Sequence, residues 1–503
     1  MATLHHGLTR FDLFTKACAE GGATNSNVLP QLFGRLFGPD AKTPVEWNGD
    51  PHDLIKLYVQ LLHEIKAETA STGDAAEAGM TFFGQFIDHD VTLDATSAIG
   101  TQIDPRNVRN VRTPNLDLDC VYGDGPEASP HLYGELEVAG KKHGEFLVFG
   151  REKNRLDLAR TKAGVALIGD PRNDENIFVS QIQGIFICLH NILLAESFKD
   201  KGMQTTIEHC AKMRTDPQLW THMIVPRLHD FEAVRRFVRL HYQWLVLKRF
   251  LPAFVTQEAI DAAMGSGYPD TAPIMPVEFS VAGFRFGHAT VQPTYRLEPD
   301  KGRVPLFKFE GFGPRDEAAN IEDFSVMFGP DADRARPVGL SMADELFELP
   351  FIKDPIIFQD PNSGAEVKVE HPDSANLGLR NILRDRFAFS LLSGQQTASR
   401  LGIPALPVPP TLAAEGITRT PLWFYCLEEA EKSGQGKLDG VGGRIVAGTI
   451  INLLRQDPMS VYHILDEFEP YKGFGGKDMT MHHLMKFVEK HREIPNREML
   501  FNG

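Results

Sequence analysis

DENIFVSQIQGIFICLHNILLAESFK, residues 174–199, is the stretch that decides the fold class. Apolar side chains recur at Phe178, Ile182, Ile185, Phe186, Leu189 and Leu193, the spacing of one helical face. Asp170 and Asp174 bracket the start, and Pro171 helps end whatever precedes it. Residues 229–250 repeat the pattern with Phe231, Val234, Phe237, Val238 and Leu245 in register. VGGRIVAGTIINLLR, residues 441–455, adds a third helix. Alternating strands are scarce; GEFLVFG, residues 144–150, reads as half of a small hairpin. Gly- and Pro-rich connections at 99–115, 264–277, 311–340 and 402–417 are long, and long loops often carry function or wrap a ligand. No internal repeat or low-complexity tract interrupts the chain. The expected fold is mainly α, a single large helical domain with little β-structure over residues 71–503. Residues 1–70 are expected to form an N-terminal arm or extension packed on that core.

The bulk numbers narrow the function. The chain has 503 residues, 42% of them hydrophobic, enough for a large core. A net charge of −15 argues against wholesale nucleic-acid binding, because a phosphate backbone needs a cationic face. It leaves room for small substrates held by local arginines. Five widely spaced cysteines without a CxxC pair argue against a disulfide framework or a thiolate zinc site. The N-terminus lacks a basic segment followed by an apolar one, so the expected compartment is the cytoplasm unless export takes a non-classical route. No membrane span is expected: GIFICLHNILLA is the nearest apolar run, and it is short and carries His190 and Asn191.

Several segments could carry chemistry. In GMTFFGQFIDHDVTLD, residues 79–94, Gln85, Asp88 and His89 stand at i, i+3 and i+4 and share a helical face. Asp90 lies about 100° further round and serves a different neighbour. Taken alone, this is also how a solvated helix end would read. In RTPNLDLDCVYGDGP, residues 112–126, Thr113, Asn115, Asp117 and Asp119 alternate, so an extended segment would turn them to one side. Such oxygen donors suit calcium, and Asp90 is available as a further carboxylate. An EF-hand is excluded, since Cys120 replaces the loop glycine and Pro126 the bidentate glutamate. GDPRNDENIF, residues 169–178, sets Arg172 and Glu175 at the start of the long helix, where an arginine can stabilise developing negative charge. GFRFGHATVQP, residues 283–293, holds His288 with Arg285 three residues before it. NLGLRNILRDR, residues 376–386, carries Asn381, which could fix an imidazole tautomer.

In this order, these segments resemble the animal-type, myeloperoxidase-like haem peroxidase superfamily and its bacterial members. GQFIDHD looks like the distal-histidine motif, RTPNLDLDCVYG the calcium loop, GDPRNDE the catalytic-arginine motif, FRFGH the proximal-histidine motif, and RNILRDR the segment with the asparagine partner. The likeness spans roughly residues 75 to 395, and DGVGGRIVAGTIINLL, residues 439–454, extends it in the bacterial manner. The resemblance implies a helical haem peroxidase domain. It makes His89 the distal acid/base, Arg172 the charge stabiliser and Gln85 a lining residue. It makes His288 the ligand of a haem b iron, with Asn381 on its other ring nitrogen and Arg285 nearby. Calcium would be held by Asp90, Thr113, the Asn115 carbonyl, Asp117 and Asp119. Asp88 and Glu175 match the carboxylates that form ester bonds to haem. The partners implied are hydrogen peroxide and a small donor: a phenol, an aromatic amine, a halide or a pseudohalide.

Two departures sharpen this. Asn176 stands where members with a third, sulfonium link to haem carry methionine, which weakens the case for chloride oxidation. Arg285 stands where the fatty-acid dioxygenases of the superfamily carry a tyrosine three residues before the proximal histidine. Such an oxygenase is the alternative reading. A calcium- and haem-binding interaction protein without turnover is another, which His89 and Arg172 together disfavour.

Overall fold

The helix Ile177–Lys199 is buried on every side, not on one face as its spacing suggested. In this computed structural model, which describes residues 33–63, 65, 73–92, 114–213, 230–265, 268–269, 272–360 and 362–491, that helix is the axis of the core. Its apolar stretch has a mean hydropathy of 1.7, long and apolar enough to cross a membrane, which the sequence reading did not anticipate. That stretch is wholly enclosed by the rest of the fold. A helix hydrophobic all round gains most by being surrounded, since each fully buried Leu, Ile or Phe contributes roughly 1.5–3 kcal/mol. The two polar residues inside it are structural. Asn191 exchanges two hydrogen bonds with the backbone of Leu147, and His190 Nδ1 lies 3.2 Å from the Tyr122 hydroxyl.

The helix begins later than Asp174. Pro171–Asp174 forms a separate 3-10 turn, capped by Asp170, whose carboxylate accepts the Arg172 N–H. Asn176 then caps the long helix, its Oδ1 accepting the N–H groups of Phe178 and Val179. Around the axis pack Ala78–Val91, Lys201–Ala211 and Asp230–Leu245. Their contact surface is aromatic: Phe86 stacks on Phe186 at 5.0 Å, and Tyr242 and Phe250 meet Phe83 edge-on. Gly440–Gln456 matches the third helix expected and packs on Gln257–Met264 and Leu422–Ser433.

Among the described residues, β-structure is limited to four two-stranded sheets and a few isolated bridges. The hairpin is present as Tyr133–Val138 paired antiparallel with Lys141–Leu147. Residues from the N-terminal region join the same core. Phe33–Gly34 pairs in parallel with Met275–Pro276, and the helix Pro51–Leu62 packs on Leu377–Leu383. The four described cysteines, Cys120, Cys188, Cys210 and Cys426, are free and buried.

The helix Ala78–Val91 is positioned at its start by the segment 324–333. Ala78 and Gly79 donate to the carbonyls of Asp333 and Met327, satisfying N–H groups that a helix start leaves open. Gly79 is required there, because a Cβ would lie 2.4 Å from the Phe328 ring.

Candidate active site

One turn of that helix distributes three acid or imidazole groups to three environments. Asp88 lines a cavity of about 220 Å³ together with Arg172, Arg285 and Arg384. His89 is buried, and its Nδ1 lies 2.8 Å from Asn173 Oδ1. Burial, then the Arg172 charge, push its imidazole down to about 4. Asp90 points the other way, fully buried, toward Asp117 and Asp119. Gln85, one turn earlier, donates to Glu175 and accepts from Asn176 at 3.0 Å. The face shared by Gln85, Asp88 and His89 is therefore real. Glu175 is exposed at this edge yet ringed by protein, and desolvation raises its carboxyl to about 7 despite the Gln85 bond and Arg172.

Arg172 sits on the 3-10 turn beside this face. Asp170 holds it through Nε at 3.1 Å and Nη2 at 2.9 Å, and Nη2 also reaches the carbonyls of His89 and Thr92. The guanidinium is thus tied to the last turn of the histidine's own helix. The rest of the 171–175 turn is held by buried ion pairs. Arg160 bridges Asp157 and Asp174, and Arg315 binds Asp174 through a carboxylate oxygen and its carbonyl, both at 2.6 Å. Sequence reading named Asp174 only as a helix bracket. Its partners are 14 and 141 residues away, so no local pattern reveals them.

The acidic segment is not extended. Leu116 and Leu118 take left-handed backbone conformations, with φ of 50° and 62°, and Asp119–Tyr122 is a short helix. Burial of both leucines in the core holds a conformation that branched side chains otherwise avoid. The alternation expected from a strand is replaced by a coiled backbone that still converges Asp117 and Asp119 on Asp90. Ligand atoms of the three buried carboxylates lie within 4.8 Å of one another. Asp90 Oδ2 accepts the Leu118 N–H, its Oδ1 has no hydrogen-bond partner, and burial plus Asp117 push its carboxyl up to about 7. Such a set suits a hard cation, which would offset the mutual repulsion. The Asn115 carbonyl instead faces Gln243 and Arg239 donors at 3.3 and 3.4 Å. Thr113 lies outside the described residues.

His288 lies on the 3-10 helix Gly283–Thr290, which follows a π turn, Glu278–Ala282. A second π turn, Arg384–Ala388, follows the helix Leu377–Leu383 that carries Asn381. These widened turns supply Ser280, Val281 and Arg384 to the cavity wall, and π turns often mark such sites. Asn381 Nδ2 is 2.9 Å from His288 Nδ1. Burial, then Arg285 and Arg384, push the His288 imidazole down to about 3, leaving a neutral ring suited to metal ligation. Beside it, a Cβ placed on Gly287 would meet nothing within 4 Å, so the backbone opens onto free space. The His288 helix packs against the His89 helix, where Thr81 and Thr290 hydroxyls meet at 2.9 Å. Neither histidine forms part of the cavity wall proper, which Phe33, Phe389 and the three arginines help complete.

The signature described as Animal haem peroxidase matches residues 94–310, a span that takes in Arg172 and His288. Chorion peroxidase of Drosophila melanogaster is 26% identical over 352 residues, covering 65% of this chain and 39% of that protein. Over these residues the chain is similar to the animal haem peroxidases. Human thyroid peroxidase is 26% identical over 211 residues, 38% of this chain and 20% of its own length. This chain thus spans well under half the length of these curated relatives. Peroxidase A from Dictyostelium discoideum has the same fold, with a TM-score of 0.56 at 14% identity, covering 93% of this chain and 96% of that one. A fatty acid alpha-dioxygenase from Oryza sativa superposes with a TM-score of 0.53 at 15% identity, covering 98% and 97%. The proteins matched by this signature are haem peroxidases, so the site can be tested for its fit to a haem. The residues fit it: a neutral buried imidazole beside open space, and Arg285 and Arg384 on the cavity wall with charge to set against anionic side groups.

Proposed function

We propose that this chain is a haem-dependent peroxidase, which reduces hydrogen peroxide and oxidises a small donor. The observation that carries the reading is the tie of Arg172 to the backbone of His89, on a helix that packs against the one bearing His288, itself paired with Asn381. His288 would hold a haem b through Nε2. That role needs its proton on Nδ1, and a half-turn of the Asn381 amide brings Oδ1 to accept it at the same place. Arg285 and Arg384 would bind the propionates. Bound there, haem supplies the redox-active iron that accepts peroxide's oxidising equivalents. His89 takes the proton from the nearer peroxide oxygen and returns it to the departing one, which leaves as water. Arg172, held by Asp170, stabilises the negative charge that grows as the O–O bond breaks. Two phenol or aromatic-amine molecules would each give one electron, and two protons complete the second water; a halide or pseudohalide would instead give two electrons and take up the second peroxide oxygen.

A purified holoprotein with a Soret band and peroxide-dependent donor oxidation supports this, and His288→Ala should lose the band. Protein that takes up no haem on reconstitution would sink the reading. Arg285 leaves no phenol where the dioxygenase reading needs one. Oxygen uptake on a polyunsaturated fatty acid without added peroxide would reverse that preference.

Asp88 and Glu175 are the carboxylates available for ester links to the haem. Acid acetone should fail to extract haem after peroxide treatment, whereas the Asp88→Val, Glu175→Gln double variant should release it. Free extraction from every wild-type preparation would count against the links. Asn176 offers no sulfur for a third link, since it caps the central helix and donates to Gln85.

Asp90, Asp117 and Asp119 would bind calcium, with Thr113 and the Asn115 carbonyl completing the set in the family manner. Calcium at a hundredfold excess over its dissociation constant should stabilise the fold by about 2.7 kcal/mol. A chelator should reverse the gain in melting temperature, and Asp117→Ala should abolish it. An unchanged melting temperature in wild type would remove calcium from the account.

A further inference from the structure

The distal histidine is the first link of a buried chain of hydrogen bonds. His89 Nδ1 lies 2.8 Å from Asn173 Oδ1, Asn173 Nδ2 lies 2.8 Å from Gln183 Oε1, and Gln183 Nε2 lies 3.2 Å from the Cys120 carbonyl. Asn173 and Gln183 are fully buried and His89 is 5% exposed, so water is a poor substitute partner. The chain ends on a backbone carbonyl, which can only accept. Gln183 must therefore present its NH₂ to Cys120. Its oxygen then faces Asn173 and can only accept, so Asn173 must present its own NH₂. Asn173 Oδ1 is left facing the imidazole, again able only to accept.

We infer that Asn173 and Gln183 are positioning residues that hold the His89 proton on Nδ1 and its lone pair on Nε2, with the Cys120 carbonyl setting the direction of the whole relay. Free imidazole side chains prefer the opposite tautomer, so the relay works against an intrinsic bias. Reversing it would bring oxygen against oxygen at Cys120 in a buried site. The same carbonyl accepts the Asp170 N–H at 3.2 Å, and Asp170 holds Arg172. One peptide thereby orients both the imidazole and the guanidinium. Gly169 makes this possible: a Cβ there would lie 2.2 Å from the Asp119 carbonyl oxygen and 2.7 Å from that of Cys120. The peptide also follows Asp119 of the carboxylate cluster, so the cluster and the distal histidine are joined by a second route besides the Asp90–His89 bond. Gln183 lies ten residues after Asn173, and neither is adjacent to His89 in sequence.

The relay's consequence for turnover rests on reading His89 as the peroxide proton carrier, but its geometry does not. The test therefore begins without haem. Full-length chain labelled in its histidine rings is measured by NMR, with His89 assigned by its loss in His89→Gln. Wild type should show the Nδ1–H tautomer in excess. Gln183→Leu, similar in bulk and without the relay, should shift the tautomer ratio by about tenfold or more. Asn173→Asp keeps an oxygen acceptor against Nδ1 and should retain the wild-type tautomer, which a merely space-filling role would not predict. An Nε2–H tautomer in wild type, or an unchanged ratio in folded Gln183→Leu, would overturn the relay. In the holoprotein, Gln183→Leu should slow the reaction with peroxide by about tenfold while the donor-oxidation rate holds. A tautomer that shifts while the peroxide reaction stays fast would keep the relay and discard His89 as the proton carrier.

Discussion

Replacing His89 by alanine should lower the rate of reaction with hydrogen peroxide by about 10²–10⁴-fold, the usual worth of a positioned acid/base. The donor-oxidation step should change far less, because it does not cleave the O–O bond. Stopped-flow measurement of the two steps separates them. The Soret band should persist, since His288 and Asn381 are untouched. Arg172 alone cannot replace the imidazole: it can stabilise charge, but it has no proton-accepting site. Removing the ring also strands Asn173 Oδ1 in a buried position, at a cost of about 1–3 kcal/mol. A modest fall in melting temperature is therefore expected alongside the kinetic loss. A variant that reacts with peroxide at the wild-type rate would remove His89 from the mechanism.

The second large effect is on stability. Asp174→Ala should destabilise the fold by roughly 3–5 kcal/mol, the range for breaking a buried ion pair. Arg160 and Arg315 both point at this carboxylate, with side chains 2% and 6% exposed. After the substitution, Asp157 would face Arg151, Arg160 and Arg315 with a single negative charge. The turn bearing Arg172 and Glu175 would also lose the clamp at its end, so the peroxide reaction should slow as well. The exposed Lys56–Asp53 pair is the control. Asp53→Ala should change stability by no more than about 1 kcal/mol, because water already solvates both partners. Chemical denaturation of the two variants side by side measures the contrast. Equal small losses would mean that the buried network contributes no more than a surface pair.

Much of the site was legible because it is local. Gln85, Asp88 and His89 share a face by helix geometry alone, and Asp90 must then leave it. The motif likeness suggested roles for Arg172, His288 and Asn381, and His288 and Asn381 do meet at 2.9 Å. The acidic segment was legible in composition but not in conformation. Asp117 and Asp119 converge through two left-handed leucines, which no propensity favours and only core burial sustains. Asn173 and Gln183 carried no signal, because a buried amide reads like any polar residue until its partners are known.

By itself, the amino-acid sequence determined the helical class, the three-way split of Asp88, His89 and Asp90, and the likeness to the animal haem peroxidases. Those depend on periodicity and on short motifs, both properties of neighbours in the chain. Only the tertiary structure decided that the 177–199 helix is enclosed on all sides, that Arg172 is held by Asp170, and that the His89 tautomer is governed from the Cys120 carbonyl. Those depend on which distant groups are buried together. Burial turns ordinary hydrogen bonds and charges into constraints, because inside the core there is no water to take their place.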